Sequence, residues 1–292
     1  MGFLTDPWAW WVEPFTTNAF MRNALAAGLL AVVCTSTVGT WVVLRSMSFL
    51  GDALAHGVLP GIAVAFVLGV DTSLGAFVAA LVMVGGVNLL RARSPLPEDT
   101  SIGVLFVGFL ALAVVILSSS SGSYTGDLNR FLFGSITGVD GADLRRQAIA
   151  ALVTTVVVVG GHRAFLAMTF DETQARLAGL RPRLAHATLL VLVALSIVSS
   201  FQAVGNLLVF AFLVAPPATA AMVVRRVPAM MATAVGLGCA SVVAGLAISY
   251  HADTAAGATM ALVAVTLFLA TVLGRAARAA LWWTGGHAHL RP

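Results

Sequence analysis

Arg45-SMSFLGDALAHGVLPGIAVAFVLGV-Asp71 decides the fold. Asp52 is the only acid or arginine between its ends, and the run from His56 to Asp71 is too short to cross a hydrocarbon core, which takes about 20 helical residues. A crossing helix here must reach back towards Arg45. At about 1.5 Å per residue, Asp52 then lies roughly 10 Å and His56 roughly 16 Å along the helix from Arg45, near mid-membrane. Ionisable groups at that depth are rare and mark an ion or substrate path.

The rest of the chain fits a membrane setting. Of its 292 residues, 59% are hydrophobic and 10% charged, too apolar a balance for a soluble domain. Runs without Asp, Glu or Arg recur along its length, and the ten-residue alternation of an outer-membrane barrel is absent. The expected fold class is all-α, a polytopic membrane bundle of eight or nine transmembrane helices. The expected spans are 23–44, 45–70, 72–90, about 101–118, about 147–161, two within 187–224, about 228–249 and about 254–273. One helix over 187–224 would be about 57 Å long, so it must fold in two, with a break at 199–206. Pro216-Pro217 is expected to interrupt the second half. The apolar core of 128–146 is too short to cross and predicts an interfacial or re-entrant element. All of 1–292 is expected to form a single transmembrane domain. Residues 1–19 read as an interfacial N-terminal segment anchored by Trp8, Trp10 and Trp11, and 275–292 as a polar cytoplasmic tail.

All sixteen basic residues are Arg. Without Lys there can be no standard P-loop, so any ATP used must be hydrolysed by another polypeptide. The net charge of +4 is spread over the ends of apolar runs, a pattern of membrane topology rather than of nucleic-acid binding. Placing Arg45, Arg91, Arg93, the loop 163–183, Arg225, Arg226, Arg275 and Arg278 inside puts the N-terminus outside and the C-terminus inside, with Arg22, Arg145 and Arg146 as exceptions. Cys34 and Cys239 lie in apolar segments and predict no disulfide.

Asp52 and His56, at i and i+4, share a helix face. Two donors are an incomplete site for a divalent ion, whereas a two-fold dimer would gather four N/O ligands suited to zinc or manganese. The bland alternative is a pair that only ties helices together. Met47 beside it reads as core. His162 and His186 flank the Arg-rich loop, His251 sits with Asp253 in an outer turn, and His287 and His289 form H-x-H in the tail; each is a weaker candidate. The segment 169–187 opens with acids and carries Arg later, matching a helix dipole, and Gly179 is placed to stop it. It predicts a short amphipathic helix across the cytoplasmic face.

Four segments carry a resemblance: Arg45-SMSFLGDALAHGVLPG, Asp127-LNRFLFGSITGV, Phe170-DETQARLAGLRP and Phe210-AFLVAPPATAA. The chain resembles the permease subunits of ATP-binding-cassette importers for zinc, manganese and iron. The resemblance implies a homodimeric channel in the bacterial cytoplasmic membrane, two cytoplasmic ATPase subunits and an extracytoplasmic metal-binding protein. It implies that the chain is not itself an enzyme and holds no permanent cofactor. It places Asp52 and His56 on the cation path, and Phe170, Asp171, Glu172, Ala175, Gly179 and Leu180 in a coupling helix seated in an ATPase groove. Zinc is the first expectation for the cargo, with manganese or ferrous iron next. A proton-coupled secondary cation transporter is the competing reading. A scaffold or an intramembrane-metal enzyme ranks last, since no H-E-x-x-H is present.

Overall fold

The computed structural model describes residues 7–93, 97–119 and 139–286, and every regular element among them is a helix. Two short helices, α1 (Pro7–Trp11) and α2 (Glu13–Thr17), lead into α3 (Ala19–Leu44). A turn at Ser46, with φ 56°, separates α3 from α4 (Ser48–Gly57) and α5 (Leu59–Leu68). Pro60 falls in the first turn of α5, where its missing N–H leaves no helical bond unmade. There follow α6 (Thr72–Arg93), α7 (Glu98–Ser119), α8 (Gly141–Gly160), α9 (His162–Phe170) and α10 (Glu172–Leu177). The chain closes with α11 (Pro182–Val204), α12 (Asn206–Val223), α13 (Val227–Ala252) and α14 (Ala256–Gly286).

Counting α4 and α5 as one broken span, seven of the described spans are long and apolar enough to cross a membrane. The pair α8 and α9, bent by 64°, counts as an eighth only when taken together as one span, and α12 adds a shorter apolar stretch over Leu208–Val223. Three features differ from expectation. The chain stays helical past Gly161, because Phe165 and Met168 of α9 are buried while Arg163 points outward. Residues 275–286 of the expected tail continue α14. Pro216 and Pro217 lie inside α12 without interrupting it. The expected interfacial segment falls mostly in 120–138, outside the described residues, as do His287 and His289.

The core is built around α3. Ala27, Ala31, Thr35, Val38, Trp41 and Val42 are all fully buried, and α8, α11, α12 and α13 pack on it. Small residues permit that approach, since lipid supplies no hydrophobic drive between helices and close packing must. The same packing explains the intact α12. Proline at 216 and 217 removes the N–H groups that would bond the carbonyls of Phe212 and Leu213. The Ser36 hydroxyl donates to the Phe212 carbonyl at 3.1 Å. Leu213 O abuts Gly39, where no side chain intervenes. The break between α11 and α12 falls at Gly205, whose φ 81° and ψ 157° belong to a region that only glycine occupies readily.

Side-chain contacts sort the loops into two faces. On one, Arg45 donates to Met168 O at 3.5 Å and Arg91 pairs with Glu172 at 3.6 Å, joining the expected inner loops. On the other, Arg146 meets Asp71 at 3.9 Å, and His251 Nε2 lies 3.1 Å from Trp10 O with its ring stacked on the indole at 4.6 Å. Arg22 donates to Thr16 O at 3.3 Å. Two of the outer arginines that break the positive-inside pattern are therefore held locally, Arg146 by an acid whose carboxyl the Ser73 N–H keeps below the usual carboxylate range.

Replacing Gly39 by Ala is expected to cost about 1–3 kcal/mol by overpacking against Leu213 O, and Ser36→Ala about 0.6 kcal/mol for one interhelical hydrogen bond in a membrane protein. Thermal unfolding in detergent measures both. A Ser36→Ala loss larger than that of Gly39→Ala contradicts the packing account.

Candidate metal-ion site

The turn at residues 45–47 delays the start of α4 to Ser48. Asp52 therefore lies about 6 Å and His56 about 12 Å along the span from Ser48, shallower than a helix starting at Arg45 would place them and nearer its inner end. Two glycines fix which way the pair faces. A side chain at Gly51 would strike Leu213 of α12, and one at Gly57 would strike Met83 of α6. Leu50 and Leu54 are fully buried on that packed side. Asp52 and His56 sit on the opposite face with Phe49, which is 42% exposed.

On that face His56 Nε2 lies 3.7 Å from Asp52 Oδ1, with side chains 29% and 37% exposed respectively. This is longer than a hydrogen bond, so the lone pairs of both groups are not spent on each other. Two donors about 2.1 Å from one ion in tetrahedral geometry stand roughly 3.4 Å apart, so a shift of a few tenths of an ångström lets both reach a single cation. Phe106 of α7 sets the imidazole: its ring lies 5.8 Å from that of His56 at 65° and 5.9 Å from Phe49 at 74°. Among the described residues no group of three or more His, Cys, Asp or Glu side chains comes together. The pair thus supplies two donors, and further donors must come from outside this set.

The remaining histidines go elsewhere. His162 meets Trp41 edge-on at 5.4 Å, His186 is buried, and His251 is locked to Trp10 as above. Both cysteines are free, and Cys34 donates to Ser196 Oγ at 3.1 Å in the bundle core.

On the inner face α10 forms where an amphipathic helix was expected. Asp171 caps it, accepting from the N–H groups of Thr173 at 2.8 Å and Gln174 at 2.9 Å. Gly179, at φ 75°, follows its end. Ala175 is buried beneath the helix, whereas Phe170 and Leu177 are 71% and 79% exposed. Gly179 is exposed and Leu180 half-buried. Glu172 accepts from Arg176 at 2.9 Å and pairs with Arg91 of α6, so its carboxyl is held below the ordinary value of 4.5, chiefly by Arg176.

The sequence signature of the ABC 3 transport family matches residues 17–275. The chain belongs to that family. A probable iron transport system membrane protein of Haemophilus influenzae is 35% identical over 260 residues, covering 89% of this chain and 95% of that one. The manganese transport system membrane protein MntC of Listeria monocytogenes is 32% identical over 262 residues, covering 90% and 93%. The structure of PsaBC from Streptococcus pneumoniae in complex with Fab superposes with a TM-score of 0.79 at 31% identity, covering 89% of this chain and 94% of that one. The four segments that carry the resemblance all fall inside the matched ABC 3 region. The chain is a multi-pass membrane protein of this family.

Sequence reasoning missed Phe49, Phe106, Arg91 and Leu177. Phe49 was within reach, since 49, 52 and 56 lie on one helical face. Phe106 and Arg91 were not, because no spacing rule joins α7 to α4 or α6 to α10.

Because the folded Glu172 carboxyl sits below 4.5, its contacts stabilise the protein above about pH 4.5 and are lost as pH falls through the lower folded value. Hydrogen exchange over 170–180 is expected to accelerate in that window, and less so in Glu172→Gln. Equal acceleration in both proteins would discard the clamp.

Proposed function

We propose that this chain is the membrane permease of an importer that moves a divalent transition metal across the bacterial cytoplasmic membrane, driven by ATP hydrolysed on separate subunits. The observation that carries the reading is the half-exposed Asp52 and His56 pair on a crossing helix. A carboxylate held against lipid costs up to about 2.5–3.5 kcal/mol at a helix centre and less near its end, so protein or water is expected to cover that face. A second copy of the chain, related by a two-fold axis, covers it with its own pair and raises the donor set to four. The partners are then that second copy, two ATPase subunits docked on the inner face, an extracytoplasmic metal-binding protein and the surrounding bilayer.

The donor set is one carboxylate and one imidazole per chain, with no thiol. It suits manganese, ferrous iron and zinc. The relatives compared above are named for iron and manganese, which moves those two ahead of zinc as the proposed cargo.

Exposed Phe170 at the end of α9 and exposed Leu177 at the end of α10 give this inner-face segment two apolar side chains to offer an ATPase groove, while the buried Ala175 seats α10 on the bundle. Motion of α10 passes to α6 through Glu172 and Arg91, and α6 touches Gly57, next to His56, through Met83.

Asp52→Asn and His56→Ala are each expected to reduce metal uptake by more than roughly a hundredfold, beyond the effect of losing an outer-shell partner. Leu177→Asp is expected to abolish metal-stimulated ATP hydrolysis in the assembled complex while metal binding persists. Normal uptake of manganese, iron and zinc by both site variants would sink the proposal.

A further inference from the structure

The inner ends of α12 and α14 border an open pocket unrelated to the metal pair. It has a volume of about 610 Å³ and is walled by Met222 and Val223 of α12 and by Ala270, Thr271 and Gly274 of α14, with Arg275 and Arg278 at its rim. That volume lies within the range of about 300–1,000 Å³ typical of small-molecule sites.

Its depth follows from helix length. From Ala256, in the outer turn, to Arg275 the helix climbs about 29 Å, the thickness of a hydrocarbon core. Arg275 is therefore at the level of the inner headgroups, and Arg278 one turn further into the cytoplasm. The cavity wall below them is apolar apart from Thr271, whose hydroxyl already donates to Leu267 O at 2.8 Å. A ligand filling it meets cations at the top and hydrocarbon at the bottom.

Among the described residues the charge at this place has no acidic counterpart. Among the described residues no carboxylate pairs with Arg275 or Arg278, whereas Arg91, Arg146 and Arg176 each have one. From Gly205 to Gly286 the sequence holds one acid, Asp253, and it lies in the outer turn. Arg225 and Arg226, exposed where α12 gives way to α13, add two more guanidinium groups on the same inner side. Topology alone asks for basic residues near this face but not for a cavity beneath them.

We propose that this cavity binds an anionic phospholipid of the inner leaflet, its phosphate at Arg275 and Arg278 and the upper part of an acyl chain along Met222, Val223 and Ala270. The guanidinium groups supply planar donors for phosphate oxygens. The proposal does not depend on which ion is transported.

Native mass spectrometry of the full-length chain, exposed to equal amounts of phosphatidylglycerol and phosphatidylcholine, tests it. The wild type is expected to retain phosphatidylglycerol selectively. Arg275→Gln/Arg278→Gln is expected to weaken that retention roughly thirtyfold, about fivefold for each cation near an anionic surface. Gly274→Leu keeps both cations but fills the cavity; its Cβ meets open space and the change favours helix, so the fold survives while retention falls. Arg22→Gln, on the outer face, leaves retention unchanged. Equal retention of both lipids, displacement of phosphatidylglycerol by millimolar inorganic phosphate, or undiminished retention in the double variant overturns the proposal. So does a double variant that keeps the lipid but no longer holds its ATPase subunit, which would make the cavity a protein contact.

Discussion

A backbone carbonyl inside a hydrocarbon core must find a donor or a tightly packed neighbour, and Pro216-Pro217 leaves two carbonyls without their helical partners. The bundle answers with α3: Ser36 donates to Phe212 O, and Gly39 lets Leu213 O approach its backbone. That contact fixes the seat of α12 on α3, and Leu213 in turn presses on Gly51 of α4. The rotation of α4 about its own axis is therefore set from the centre of the fold. With Gly51 and Gly57 turned inward, Asp52 and His56 have only the outward face left to occupy.

The inner face carries a second chain of contacts that ends at the same helix. Glu172 of α10 holds Arg91 of α6, and Met83 of α6 packs where Gly57 lacks a side chain. Further along, Gly61 of α5 and Gly75 of α6 meet backbone to backbone. The glycine contacts are close-packed and tie α6 to the span that carries His56, whereas α10 is joined to α6 by the partly exposed ion pair. Neither end of the path touches Arg275 and Arg278, which lie at the α12 and α14 side of the bundle.

Much of the architecture was legible because charge and hydropathy mark the ends of membrane helices directly. Gly205 fell within the segment where a break was required, and Asp171 and Gly179 bounded the inner-face helix through cap and stop chemistry. The candidate pair stood out for the same reason, since a carboxylate and an imidazole are conspicuous in an apolar run. What the sequence did not disclose depends on tertiary partners. Pro216-Pro217 reads as a break until Ser36 and Gly39 are seen beneath it, and α9 reads as polar loop until Phe165 and Met168 are seen to be buried. Phe106 reaches His56, and Arg91 reaches Glu172, only through tertiary packing, which leaves no mark on local spacing.

An incomplete site has a consequence for transport. A chain carrying a closed set of four ligands would hold its ion as structural zinc is held, and release would require unfolding the site. With two donors per chain, under the proposed two-fold assembly, coordination number becomes a function of the distance between copies. Separating the copies by an ångström or two leaves each ion with two protein ligands and room for water. Affinity then falls without any local rearrangement of α4, whose packed glycine face keeps Asp52 and His56 in register. The geometry that makes the pair look unfinished in one chain is the geometry that lets rigid-body motion of two chains bind and release.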